Sequence, residues 1–255
     1  MLATYLKWGV KAGVVAGLVF GLLMALVANP LVVFADEFEH GGDPTVGQHH
    51  EEDGEPHDSV VSMAVTNGVS IVSGVLWGVL LGGVVFGIAY YFLEPAIPGT
   101  GGTKSYLLAV AGFVTVSGAP WLVLPPQPPG VEHALPAETS ITLYGGMMLA
   151  GALVCLLAGF VYSRLRDIRR RKTAAVVAVL PLCLLAIPAA LSPANAVEGS
   201  LPPELATGLT GLIVFGQAFL WLLLAGTHAR LRRRSGGIEL PGIGTEHTDG
   251  TLATE

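Results

Sequence analysis

The residues best suited to chemistry crowd one segment, Asp36 to Asp58. It carries four histidines, His40, His49, His50 and His57, among nine carboxylates that include Glu39, Glu51 and Glu52. Neutral imidazole with carboxylate suits divalent cobalt, nickel or zinc, and the lack of thiols there argues against copper(I). Carboxylates alone would also fit a solvated, salt-adapted exterior, and the chain has only four lysines, as in a halophile. Four histidines between positions 40 and 57 fit metal capture better. Gly41, Gly42, Pro44, Gly54 and Pro56 are interspersed, so the segment cannot build a core and reads as a flexible loop. A flexible loop must be ordered on binding, so capture is weak and exchangeable, as a feeder site requires. No permanently bound cofactor is expected. Co2+, with Ni2+ and Zn2+ as alternatives, is the ion captured or carried.

Other polar groups are scattered. His133 lies beside Glu132 in a proline-rich loop, with Glu138 nearby. Asn29, before Pro30, and Asn67 fall near the ends of apolar runs, where they are placed to receive an ion. Gln217 lies near the centre of an apolar run, one turn before Trp221. It reads as an interhelical hydrogen bond or, less simply, as a dipole lining a path. His228 sits at the far end of that run, as an exit ligand or an interfacial residue. Cys155 and Cys183 fall inside apolar runs and support neither a disulfide framework nor a zinc site; as buried thiols they read as inert. The segment Pro98–Ser105 looks like a phosphate loop but fails it, because Thr103 separates Gly102 from Lys104. No nucleophile–base pair is apparent. These observations point away from an enzyme, and nothing suggests nucleic acid as a partner.

The elements that must position these groups are membrane helices. Apolar residues make up 52% of the chain and charged ones 13%, against about 25% charge in ordinary globular domains. Charge is confined to clusters separated by uncharged runs of the ~20 residues needed to cross a bilayer. The runs are Ala12–Phe34, Gly68–Leu93, Ser105–Leu124, Thr139–Ser163, Thr173–Leu191 and Leu205–Ala229. They lack the alternation of barrel strands. The expected fold is therefore an all-α integral membrane protein, a six-transmembrane-helix bundle. Its parts are a first helix over 1–35, the capture loop over 36–58, a five-helix region over 59–234 and a disordered tail over 235–255.

Lys and Arg set the orientation. Lys7 and Lys11, Lys104, the cluster Arg164 to Lys172, and Arg230 to Arg234 all fall at alternate ends of successive spans. Placing these four groups in the cytoplasm leaves no Lys or Arg in the three loops outside, with both termini cytoplasmic. A competing reading takes the first span as a signal peptide cleaved near Ala35, but its apolar run is longer than the roughly 7–15 residues such peptides use. Gly13, Gly17 and Gly21, and again Gly74, Gly78 and Gly82, recur every fourth residue, the spacing that lets helices approach closely in lipid. Pro120, Pro181 and Pro188 are expected to kink their helices. The string over 125–130 should form a stiff, extended outer loop.

These residues together resemble the CbtA family of probable cobalt transporter subunits, over roughly residues 7 to 230. The resemblance rests on the glycine-spaced first span and on the Glu/His loop centred on His49-His50-Glu51-Glu52. It rests further on Pro120, on Pro125-Pro126-Gln127-Pro128-Pro129-Gly130-Val131, and on Gln217-Ala218 with Trp221. Family members tend to carry Lys and an aromatic residue before the prolines and Asn within them. Here Val123, Leu124 and Gln127 stand at those positions, so no role of that lysine carries over. The resemblance implies cobalt uptake serving cobalamin synthesis, beside a small His-bearing membrane partner of the CbtB type. The residues alone support a divalent cation and the lipid bilayer as surroundings, and leave a homo-oligomer open. The expectation is a multi-pass plasma-membrane component of divalent metal uptake in a halophilic prokaryote. The alternative is a membrane metal sensor or accessory subunit without transport of its own.

Overall fold

The computed structural model describes residues 2–40, 63–127, 131–133, 135–193, 197–199 and 202–236. Six helices are long and apolar enough to cross a membrane: α1 (Leu2–Phe34), α2 (Ala64–Leu93), α3 (Gly102–Leu122), α4 (Ala137–Leu165), α5 (Arg171–Leu191) and α6 (Pro203–Arg234). The six-helix all-α fold read from the sequence is the fold observed. Helix α1 starts well before Ala12, because its first turns are amphipathic. Lys7 and Lys11 are exposed, whereas Gly9 is buried and Tyr5 and Trp8 are half-buried. Helical backbone also continues past Phe34 as far as His40. The first residues of the acidic, histidine-bearing segment, Asp36–His40, are therefore helical instead of loop, and the boundary expected at 35 is chemical only. Ala-Asp-Glu-Phe-Glu-His contains no helix breaker, and the Gly41-Gly42 pair that follows in sequence carries a helix cost of about 1 kcal/mol per glycine.

The glycine spacing has a direct structural meaning. Gly9, Gly13, Gly17 and Gly21 of α1 face Gly74, Gly78 and Gly82 of α2, backbone against backbone. A Cβ on Gly82 would stand 2.5 Å from the Gly13 Cα, and one on Gly74 would stand 2.7 Å from the Gly17 carbonyl oxygen. Real Cβ atoms do not tolerate such distances, so only glycine permits this seam. In lipid, dispersion between closely approached backbones holds such a pair together. The same logic recurs where Gly112 of α3 receives the ring of Trp221 of α6, and where Gly151 of α4 meets Thr115 and Ala119 of α3.

Two prolines, Pro30 and Pro120, are accommodated by a common device, while Pro188 lies in regular helix. A π turn, Met24–Ala28, directly precedes Asn29-Pro30, and a second, Val114–Gly118, directly precedes Ala119-Pro120. The Asn29 N–H bonds the Met24 oxygen, and the Ala119 N–H bonds the Val114 oxygen at 2.7 Å. Proline has no N–H and its ring displaces the carbonyl four residues back; widening the turn by one residue makes room. At Pro120 that carbonyl belongs to Val116, and the Tyr144 hydroxyl of α4 donates to it at 2.6 Å. In α5, Pro181 lies in a 3₁₀ stretch, Leu180–Leu185. A third π turn, Leu80–Phe86, has no proline; it contains Gly82 and Gly83, against which α1 presses.

Helix α1 lies between α2 and α6, α6 also packs on α3, and α4 joins α3 to α5. One core, with Phe86, Tyr90, Leu108, Trp221 and Leu224, fills the space among α1, α2, α3 and α6. A second, with Val123, Leu124, Met147, Val154 and Leu185, joins α3, α4 and α5. Val123 and Leu124 are thus buried where the resemblance would expect a lysine and an aromatic residue. Large apolar side chains such as Leu26, Leu76, Ile141 and Val176 face outward, as lipid demands.

Two short strands, β1 (Val131–His133) and β2 (Val197–Gly199), pair antiparallel with Glu132 opposite Glu198. They tie the α3–α4 connection to the α5–α6 connection, so both lie at one end of the bundle. The start of α2 meets the late part of α1 there, where Asn29 bonds Asn67. At the opposite end α1 begins, α2 ends, α3 begins and α6 ends. The two are called here the acidic end and the basic end.

Candidate functional site

At the acidic end, Asn29 and Asn67 come together as one cluster. Asn29 Nδ2 donates to Asn67 Oδ1 at 2.9 Å and to Ser70 Oγ at 3.0 Å, and Ser70 Oγ donates back to Asn29 Oδ1 at 3.4 Å. Position 29 is four residues before Val33, and 67 and 70 share one face of α2. The cluster therefore sits on the two helices that carry the ends of the histidine-bearing segment. Amide oxygens and a hydroxyl are hard donors that a passing divalent ion can use, and they also bond helix to helix. Replacing Asn29 with leucine should lower thermal stability by about 0.6–1.7 kcal/mol, the range for hydrogen bonds between membrane helices. A melting curve identical to wild type would remove the bonding role.

The remaining predicted residues have different standing. His49, His50, His57, Glu51 and Glu52 lie outside the described residues. Glu39 and His40 lie on the helical extension of α1, and His133 lies on β1. Gln217 is half-buried on α6 and makes no side-chain hydrogen bond to another described residue, so the expected interhelical bond is not formed among the described residues. Cys155 directs its thiol to the Ala111 carbonyl oxygen at 3.8 Å, and Cys183 is exposed on α5. Among the described residues no three His, Cys, Asp or Glu side chains converge as a metal centre would need.

The most developed polar arrangement is at the basic end. Glu94, just past the end of α2, receives a hydrogen bond from the Tyr5 hydroxyl of α1 and an ion pair from Arg232 of α6 at 2.8 Å. Lys104 of α3 donates to the Glu94 carbonyl oxygen at 2.8 Å. Arg232 also donates to the Tyr90 hydroxyl, and its guanidinium lies 4.9 Å from the Tyr90 ring centre and 5.8 Å from that of Trp8. Desolvation acts to raise the Glu94 pKa, but the Tyr5 hydrogen bond and the charges of Arg232 and Lys104 outweigh it and hold the carboxyl below its ordinary value. One turn deeper, His228 is fully buried, with Phe86 and Tyr90 against its ring. Its Nδ1 is 2.9 Å from Ser105 Oγ, and its Nε2 has no partner among the described residues.

The spacing behind this cluster is legible afterwards. Tyr90 on α2 and Glu94 just past its end are one turn apart, as are His228 and Arg232 on α6, so the two helices that flank α1 present matched pairs. Glu94 is an acid at the end where bases dominate, and that anomaly was the available signal. The sequence reading named His228 and passed over Glu94, Arg232, Tyr5, Tyr90 and Ser105.

A family model described as probable cobalt transporter subunit (CbtA) matches residues 2–233. The chain belongs to the CbtA family. The match extends beyond the 7–230 expected from sequence and takes in both Tyr5 and Arg232. No curated protein and no solved structure matches the chain. As a CbtA protein it is a probable cobalt transporter subunit, which implies a partner, and its six apolar helices make it a multi-pass membrane protein.

Proposed function

We propose that this CbtA protein forms the uptake route for divalent cobalt, with the basic end in the cytoplasm and the acidic end outside. His40, His49, His50 and His57, with Glu39, Glu51 and Glu52, gather the ion. Asn29 and Asn67 receive it at the mouth, with His133 on the neighbouring loop. Gln217 offers a dipole at mid-depth, and His228 is the inner ligand. The observation that carries this reading is the placement of the Asn29–Asn67–Ser70 cluster on the two helices that bear the ends of the histidine-rich segment. An inside-negative potential supplies the drive: a divalent ion gains about 4.6 kcal/mol per 100 mV. The cobalt would serve cobalamin synthesis, and a small His-bearing membrane subunit of the CbtB type is the expected partner. A plasma membrane bathed in high salt suits the acidic exterior.

One observation favours a second reading, an accessory or sensing subunit: no group of three ligands converges among the described residues. Cobalt flux into vesicles holding this chain alone, then this chain with its partner, separates the two. Flux that needs this chain and is driven by an imposed potential supports the route; metal binding without flux in either preparation supports the sensor.

Topology has its own test. Single cysteines within residues 43–58 and at Ser200 should react with an impermeant thiol reagent from outside intact cells. Cysteines at Arg170 and Ser235 should react only after the membrane is opened. Outside labelling at Arg170 would invert the orientation.

A further inference from the structure

Glu94 and Arg232 close the basic end across two helices that each carry a second polar residue one turn deeper. Their side chains are about one-fifth exposed, so they sit where the bundle meets water and can separate without either charge entering a dry core. Directly above them His228 is fully buried, and its Nε2 has no hydrogen-bond partner among the described residues. Such an atom is costly to bury without a function. Its other nitrogen is held by Ser105, which fixes the ring, as the outer hydrogen bond of a metal-binding imidazole does. With the Ser105 Oγ accepting the Nδ1–H of His228, Nε2 keeps a free lone pair. Tyr90 accepts from Arg232. Polar contacts thus run from Glu94 through Arg232 to Tyr90, whose ring lies against that of His228.

We propose that the Glu94–Arg232 pair, braced by Tyr5 and Tyr90, is the cytoplasmic gate of this protein, and that His228 Nε2 is the last ligand a divalent cation meets before the gate opens. With the gate shut, the guanidinium occupies the carboxylate and repels a cation. When a divalent cation leaves His228 it replaces Arg232 at Glu94, so the carboxylate exchanges one cationic partner for another and is never left bare. One imidazole and one carboxylate make a weak site, which suits release. The inference rests on the transport reading given above, and its test needs no flux, so the two can fail separately.

The test is the rate at which diethyl pyrocarbonate modifies His228, followed by mass spectrometry on the full chain in membrane vesicles. In wild type the rate is slow, because Nε2 is buried. In Glu94→Gln and Arg232→Gln it rises about tenfold or more, as expected when a charged hydrogen bond that holds a closed state is lost. Tyr5→Phe, a milder change, gives a smaller rise, and the reversed pair Glu94→Arg with Arg232→Glu restores the slow rate. Cobalt chloride suppresses the modification in the opened variants, and magnesium chloride does not. Unchanged rates in Tyr5→Phe and in both charge variants, with wild-type melting temperatures, would overturn the gate. A raised rate that cobalt leaves untouched would overturn the assignment of Nε2 as a ligand.

Discussion

Gly13→Leu is expected to abolish the folded bundle. The added side chain has nowhere to go, because the Gly78 carbonyl of α2 already lies where its Cβ would be, and the Gly82 Cα is 3.1 Å away. Overpacking against side chains costs about 1–3 kcal/mol because neighbours repack. Here the neighbour is backbone of a membrane helix, which can yield only by moving α2 as a whole. That displacement would break the rest of the seam, from Gly9 to Gly21, and carry the Asn29–Asn67 bonds and the Tyr5–Glu94 bond with it. The loss should therefore exceed about 3 kcal/mol, a large part of the 5–15 kcal/mol typical of a folded protein. Gly78→Leu should behave alike. Gly145→Ala is the control, since nothing lies within 4 Å of its Cβ position; it should be neutral or gain up to about 1 kcal/mol from helix propensity. Thermal melts followed by size-exclusion in detergent give the comparison. A monodisperse Gly13→Leu protein that melts within a few degrees of wild type would show that the α1–α2 seam does not hold the bundle.

Exchanging His40, His49, His50 and His57 for glutamine should lower cobalt uptake strongly when the metal is scarce. It should leave uptake nearly normal when metal is abundant, because a feeder raises local supply and is bypassed by saturation. The size of the effect follows from imidazole chemistry. An unperturbed histidine titrates near pH 6.5, and only the neutral ring binds metal. Between pH 7.5 and 5.5 the neutral fraction of each ring falls about tenfold. Carboxylates, with reference values near 4, stay charged over that window. Wild-type uptake at scarce cobalt should therefore fall about tenfold from pH 7.5 to 5.5. The quadruple variant should sit near that lower level at both pH values, with a flattened profile. Measuring uptake at two cobalt concentrations and two pH values decides the matter. Wild-type-like uptake at scarce cobalt, with an unchanged pH profile, would leave the segment as a solvated acidic linker.

Much of the architecture was legible from composition alone, for a physical reason. Lipid admits only segments that satisfy their own backbone hydrogen bonds, so uncharged runs such as Thr139–Ser163 had one fate. Glycine at every fourth position likewise announced a close helix contact, since the spacing places the residues on one face whatever the partner. Pro120 and Pro181 announced breaks in regular helix, because proline removes the same hydrogen bond in any helix. Helix ends were less legible: α1 begins at Leu2 and its helical backbone continues to His40, where amphipathic turns outlast the apolar run.

What the sequence could not say is which distant residues meet. Nothing local tells that Gly13 faces Gly78 and not another glycine, that Asn29 finds Asn67, or that Gln217 finds no side-chain bond among the described residues. The decisive case is Glu94. In the sequence it is one acid in a short loop at the end where bases dominate, an anomaly that names no partner. Only the packing of α1 between α2 and α6 brings Tyr5, Glu94 and Arg232 together beneath a buried His228. Such a cluster draws one or two residues from each of four helices. Its members are separated by scores of residues along the chain, and no periodicity within one helix encodes a meeting of several.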